Sequence, residues 1–506
     1  MVTSFSLPEQ VLDTSYRNPV IPGFHPDPSV CRVGDDYYLV TSSFTYFPGV
    51  PIFHSTNLVE WIQIGNVLDR PSQLDLTGTT PWSSLGIYAP TIRYHDGRFW
   101  VITTNSTSKG WDTFFVTSED PAGPWTDPVH VAIPGIDPDL AWDEQDRCWV
   151  HFSGVTAISR CQIDTATGVL LTEPESTWSG TGLQFPEAPH LFERNGTWYL
   201  LVAEGGTEAG HAVSIARGPS PEGPWEGSPD NPILTHRSTD RAVQNTGHAD
   251  VVEGGDGSWW MVLLGIRRLG ITPGFHVLGR ETFLTPLNWH DGWPVPEPVE
   301  LEMPAGRSAD DRLTQVDERE NFETGALAPE WVSVRRPPEE FVSLGERPGW
   351  LLTHGTETLD SVLPSFIGRA QRHLNFVARV RVDPASATEA GLALYLDETA
   401  HCEVAVRGNE VIARLRIGPL QQVLGRAPRP SGFPILSLGA KRGGNGPDTV
   451  TLAYRGEGGI ERVLAEFDGR YISTEVAGGF LGRMIGMYAE GGSAGWDWFE
   501  YSGSDA

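Results

Sequence analysis

At 506 residues the chain is too long for one ordinary core, so two domains of unequal size are the starting expectation. A formal charge of −29 leaves no basic stripe for a phosphate backbone or an anionic membrane surface, and no run is apolar enough to span a bilayer, which excludes nucleic acid and membranes as partners. The 57 Gly and 40 Pro, beside 18 Trp, 12 Tyr and 21 Phe, favour short strands joined by tight turns, an all-β protein.

The first residues, Met1 to Tyr16, lack a basic patch followed by an apolar core and do not read as a secretory leader. Cys31, Cys148, Cys161 and Cys402 have neither CxxC nor Cys/His spacing, so no zinc site and no disulfide framework is indicated. A reduced, cytoplasmic protein is expected. A secreted one trimmed of its leader would look the same.

From there one phrase recurs, a turn of Asp or Asn with Gly followed by an aromatic-rich strand. Its copies are Gly34-Asp35-Asp36-Tyr37-Tyr38, Asp96-Gly97-Arg98-Phe99-Trp100, Asp146-Arg147-Cys148-Trp149, Asn195-Gly196-Thr197-Trp198-Tyr199 and Asp256-Gly257-Ser258-Trp259-Trp260. They recur every ~50 to 60 residues, the period of a propeller blade. Asp-Gly and Asn-Gly corners suit hairpins because those positions need φ > 0. Outer-strand phrases follow, including His54 to Trp61, Gly123-Pro124-Trp125 and Gly223-Pro224-Trp225. The spacing predicts a five-bladed β-propeller over residues 16–300.

A Pro- and acid-rich stretch from Glu297 to Arg312 breaks the pattern, which predicts a linker over 301–315. Beyond it Phe376 to Val382 alternates apolar with basic residues, as a half-exposed strand should. Further short strands are expected at Leu392 to Leu396, Val404 to Arg407, Val411 to Ile417, Thr449 to Tyr454 and Trp496 to Tyr501. A β-sandwich of jelly-roll or concanavalin-like type over 316–506 is the simplest packing.

In a propeller the innermost strands line one channel, so residues equally far from each turn converge. Counting back about eight residues from each turn phrase reaches Asp27, Tyr88-Ala89-Pro90, Asp137, Glu187 and Gly247-His248. An Asp before Pro, as in Asp27-Pro28 and Asp137-Pro138, commonly caps a turn and taken singly reads as structural. Three carboxylates in register are harder to dismiss, because an unpaired carboxylate facing a packed axis is costly. Glycosidic cleavage uses paired carboxyl groups, one to protonate the leaving oxygen and one to handle water or the sugar carbon. Mutual repulsion in a desolvated pocket keeps one of them protonated. Glu187 suits that role by its longer side chain and its place between Pro186 and Ala188-Pro189, although the residue pattern alone leaves the assignment open.

At these residues the sequence resembles the family 43 glycoside hydrolases, in particular the β-xylosidase and α-L-arabinofuranosidase branch with an appended C-terminal sandwich. The motifs are Asn18 to Ser29 around Asp27, Phe47 to Ser55, Ile136-Asp137-Pro138, Pro186-Glu187-Ala188-Pro189-His190, Ala203 to Thr207, Gly247-His248-Ala249, Leu278 to Thr282 and Gly478-Gly479-Phe480. The resemblance implies Asp27 as general base, Glu187 as general acid and Asp137 as the carboxylate that supports the acid. It implies that Arg280 contacts the sugar, the other reading being a structural ion pair. His248 would lie on the axis near the sugar, where family members carry water or a calcium ion; a satisfied core histidine is the plain alternative. Phe44 and Tyr88 would wall the sugar, or simply pack their blades. Phe480 would reach the pocket from the sandwich.

Tyr88 stands where Trp is usual in the branch, and Asp139 follows Pro138 where Ser is typical, which leaves xylose against arabinofuranose open. The implied activity is exo-acting, inverting release of terminal β-D-xylosyl or α-L-arabinofuranosyl residues from a small oligosaccharide. An endo-acting arabinanase or xylanase and a non-catalytic sugar-binding propeller are the alternatives. No cofactor is required by this chemistry, and a homo-oligomer stays open.

Overall fold

Both Asp96-Gly97 (φ 47° and 75°) and Asn195-Gly196 (φ 53° and 78°) turn with two positive φ values, the type I′ geometry that matches strand twist. They join Thr91–His95 to Arg98–Thr107 and Glu187–Arg194 to Thr197–Glu204. The computed structural model describes residues 14–79, 84–270, 272–305 and 315–505.

Five antiparallel sheets follow one another along the first part of the chain and form a five-bladed β-propeller. Their innermost strands are Ser29–Val33, Thr91–His95 preceded by the short Gly86–Ile87, Ile136–Trp142, Glu187–Arg194 and Val243–Glu253. Apolar layers fill the space between blades; Val40, Ile52, Ile92, Phe99 and Val101, for example, join the first to the second. Burial of such side chains is the main stabilising term, about 1.5 to 3 kcal/mol for each large one.

The ring closes through the start of the chain. The Asn18 carboxamide imitates a peptide unit: its Nδ2 donates to Leu284 O (2.9 Å) and its Oδ1 accepts from Leu284 N (2.9 Å). Tyr16 Oη donates to the same carbonyl, and Ile21 bridges Thr282.

The stretch read as a linker over 301–315 departs from that expectation at its start. Glu302–Ala305 forms a strand that pairs antiparallel with Thr14–Arg17. Val299 and Met303 are buried, and that apolar anchoring outweighs the Pro and acid composition. Residues 306–314 lie outside the described residues, as do residues 1–13.

The second part is a β-sandwich of two sheets. Asn375–Asp383 alternates buried and half-buried residues along its whole length, as its apolar/basic pattern predicts. One sheet does not belong wholly to the C-terminal part. Tyr46–Phe47, from the first blade, pairs with Val332–Val334 as its edge strand. Gln63 and Asn66 add donors to Pro329 O, so the two domains share backbone hydrogen bonding. Between the first blade and the sandwich lies a cavity of about 1140 Å³ lined by Phe24, Ser42 and Met484 among others; Asp27, Asp137 and Glu187 are not in its walls.

Candidate active site

Each predicted axial residue sits at a break in strand geometry. Asp27 (φ 58°), Asp137 (φ 51°), Ala188 (φ 51°) and His248 (φ 47°) adopt left-handed backbone, a cost of order 1 to 3 kcal/mol each that tertiary packing must hold. The pairing register slips between Ile136 and Asp139, between Glu187 and His190, and on both sides of Gly247. Such bulges re-aim side chains that regular alternation would turn into the blade. Three bulged strands and the loop before the first strand thus bring their polar residues to one mouth.

Asp27 is 4% exposed and held on both oxygens. Ser42 Oγ donates to Oδ2 at 2.5 Å and Arg280 Nη1 to Oδ1 at 3.0 Å, with His248 Nδ1 3.5 Å from the same Oδ1. Burial raises its pKa, but Arg280, His248 and the Ser42 hydroxyl together bring it below the ordinary carboxylate value. Arg280 Nη1 also donates to Thr207 Oγ1 at 3.0 Å.

Glu187 and Asp137 behave in the opposite way. Desolvation, then repulsion from Asp137 and Asp27, pushes Glu187 up to about 8. Desolvation and Asp27 push Asp137 up to about 7, although Ala188 N donates to its Oδ2 at 3.3 Å. The side chain of Glu187 is 22% exposed, so it faces the opening while Asp27 lies deeper.

An aromatic rim surrounds these groups. Phe44 lies 5.4 Å from Tyr88 and 5.9 Å from Phe480, ring centre to ring centre, and the Arg280 guanidinium lies over both Phe44 (5.6 Å) and Phe480 (5.3 Å). Phe480 reaches the mouth because two glycines meet. A Cβ on Gly279 would lie 2.9 Å from the Gly482 Cα, so the sandwich loop lies directly against the backbone that precedes Arg280. Phe480 N donates to Ser84 Oγ at 2.8 Å and ties the loop to the second blade.

All eight site residues expected from the sequence therefore gather at one mouth, while Asp139 does not line it. Its side chain is fully buried and its Oδ1 pairs with Arg93 Nη2 at 2.6 Å. Arg93 Nη1 also binds Asp250 Oδ2 at 2.8 Å, and Ser29 Oγ donates to that oxygen. This network fills the axis behind the site, and Asp139 compensates Arg93 there instead of touching a sugar. His211, Ser42 and Thr207 were given no role in the sequence. Ser42 and Thr207 come from loops that carry no register signal.

Around His248 the protein itself offers few of the oxygens that calcium takes. That ion takes six to eight oxygens, whereas His248 is neighboured by the His190 ring, at 6.1 Å between centres, and by an Asp27 oxygen already held by Arg280. Among the described residues no group of three or more His, Cys, Asp or Glu is placed to hold a metal. Burial lowers the His248 pKa to about 3, which keeps it neutral.

A five-bladed propeller that presents carboxyl groups of opposed acidity beside an arginine defines a glycosidase-type site. The chain belongs to family 43 of the glycosyl hydrolases, whose family profile matches residues 16–294; residues 319–502 match the beta xylosidase C-terminal concanavalin A-like domain. It is 38% identical over 524 residues to a non-reducing end alpha-L-arabinofuranosidase of Bacteroides ovatus, covering 96% of this chain and 94% of that protein. It is also 38% identical over 504 residues to a xylosidase/arabinosidase of Butyrivibrio fibrisolvens, covering 94% and 95%. Among solved structures, the xylan beta-1,4-xylosidase of Bacillus halodurans superposes with a TM-score of 0.88 at 31% identity, covering 96% of this chain and 99% of that one.

Proposed function

We propose that the protein is an exo-acting, inverting glycosidase that releases terminal β-D-xylosyl or α-L-arabinofuranosyl residues from xylo- or arabinoxylo-oligosaccharides. The observation that carries this reading is the split in acidity within one pocket. Asp27 lies below the ordinary carboxylate range and is ionised, fit to take a proton from water. Glu187 lies at about 8 and keeps a proton at neutral pH, fit to give it to the leaving oxygen. Asp137, bonded to the backbone beside Glu187, sustains that acidity by repulsion. Arg280 holds Asp27 in place and offers its remaining donors to sugar hydroxyls.

In the inverting reaction water attacks the anomeric carbon from the Asp27 side. The bond to the leaving oxygen breaks as Glu187 protonates it, and the water proton passes to Asp27. The two carboxyl groups should then stand about 6.5 to 9.5 Å apart in the complex. Exo action is supported by Phe480, which with Phe44 and Arg280 walls one side of the mouth where a cleft for internal cleavage would have to run. The names of the relatives support both sugars, and Tyr88 beside Phe44 is the wall on which their discrimination would rest. Hydrolysis of aryl β-D-xyloside and aryl α-L-arabinofuranoside tests the reading. Silence on both with sugar binding retained would replace it with a lectin.

A further inference from the structure

His211 is a buried imidazole with one nitrogen unmatched. It directly precedes the strand Ala212–Gly218 of the fourth blade, and its side chain is 0% exposed. Nδ1 lies 3.0 Å from the Asn245 carbonyl oxygen. A carbonyl only accepts, so Nδ1 carries the hydrogen and Nε2 presents its lone pair. Burial pushes the His211 pKa down to about 4, and this neutral tautomer persists at neutral pH. Nε2 has no hydrogen-bond partner, and Glu187 Oε1 stands 3.9 Å away.

The ring is fixed in that pose. A Cβ on Gly247 would come within 2.4 Å of His211 Nδ1 and Nε2, so the bulge beside His248 is shaped to receive the imidazole. An unmatched buried nitrogen costs stability, of order 1 to 3 kcal/mol, and persists in functional sites where it has a task. A lone pair facing a carboxyl group repels the anion and tolerates the acid.

We propose that His211 is a positioning residue for Glu187, whose Nε2 lone pair keeps that carboxyl group protonated until the leaving oxygen takes the proton. The proposal rests on Glu187 being the acid. The other ionisable groups around the pair are Asp27, Asp137, Arg280 and His248, with His190 behind His248. All remain in the variant used as the test.

His211→Asn keeps a donor for the Asn245 carbonyl and deletes Nε2. The basic limb of its kcat/KM profile on an unactivated disaccharide should move down by about one pH unit, with a loss of about tenfold near pH 9, above both limbs. A dinitrophenyl glycoside, whose leaving group needs little protonation, should lose less than about threefold. An unmoved limb, or equal loss on both substrates, overturns the proposal. In parallel, Glu187→Ala should be spared on the dinitrophenyl substrate; absence of that sparing removes the acid reading itself, whereas sparing with an unmoved His211→Asn limb sinks this proposal alone. Nitrogen-15 NMR of histidine-labelled wild-type chain tests the same point without any variant. Nε2 of His211 should be unprotonated through the neutral range, and a protonated Nε2 overturns the proposal.

Discussion

Replacing Arg280 by Gln removes the cation that lowers Asp27 most. The pair is buried, with side-chain exposures of 9% and 5%, and its N to O distance is 3.0 Å. A carboxylate beside an arginine is commonly lowered by about 1 to 3 pKa units, so its loss should raise Asp27 by that amount. Burial already pushes Asp27 upward, and with Arg280 gone that push loses the group that most strongly opposes it. The acidic limb of kcat/KM therefore climbs by about 1 to 3 pH units, and activity below the new limb falls about tenfold per unit. Stability follows the same linkage. In the wild type the lowered Asp27 contributes stability above its unfolded pKa, which is lost as pH falls through its folded pKa. In the variant a carboxylate left unpaired costs about 3 to 5 kcal/mol while ionised, and protonation relieves it, so the penalty shrinks as pH falls. The assay is kcat/KM against pH on an aryl glycoside with a good leaving group, so that the Glu187 proton is not limiting, with thermal unfolding at about pH 8 and pH 5. An acidic limb that stays in place while activity drops equally at every pH would rule out Arg280 as the group that lowers Asp27 and reduce it to a sugar contact.

Asp27→Ala and Glu187→Ala should each abolish most hydrolysis of oligosaccharides, and a good leaving group should rescue only the Glu187 variant; equal losses on all substrates in steady-state assays would undo the assignment. Glu187→Gln should stabilise the fold at alkaline pH. The raised carboxyl opposes folding increasingly as pH rises from its unfolded value near 4.5 and fully above about 8, where it ionises in the fold as well, and not below about 4.5; the shift of about 3.5 units bounds the gain at about 5 kcal/mol. Urea unfolding at about pH 9 and pH 4 reads this, with a gain expected only at the first. Gly279→Ala should drive the backbone at Gly482 outward, carry Phe480 away from Phe44 and raise KM for oligosaccharides while the propeller stays folded by circular dichroism. Phe480→Ala should raise KM in the same sense, and an unchanged KM would detach the sandwich from the site.

The propeller was legible because its punctuation is local. A type I′ corner needs Asn or Asp with Gly, so the turn phrases recur where the backbone requires φ > 0, and counting from them reaches Asp27, Asp137, Glu187 and His248. That count works because the bulges of the third, fourth and fifth blades, and the loop before the first blade's inner strand, lie at a similar distance from their corners. Arg280 and Phe480 came from resemblance, since nothing in their spacing marks the Gly279 and Gly482 contact that brings them together. Asp139, which its place after Pro138 set close to the pocket, lies behind it for a related reason: its partner Arg93 is on another blade, and the ion pair that holds it there is a long-range fact. Likewise the pairing of Tyr46–Phe47 with Val332–Val334 joins segments far apart in sequence. His211 escaped notice because its role depends on an atom with no partner, which sequence patterns do not record.

The central claim is that Asp27 activates water while Glu187 protonates the leaving oxygen in a single displacement. Proton NMR of the first sugar released from an aryl β-D-xyloside or aryl α-L-arabinofuranoside tests it most directly. Inversion is expected, with α-xylose or β-arabinofuranose appearing before mutarotation. First release of β-xylose or α-arabinofuranose would require a covalent intermediate on the enzyme, and would contradict it.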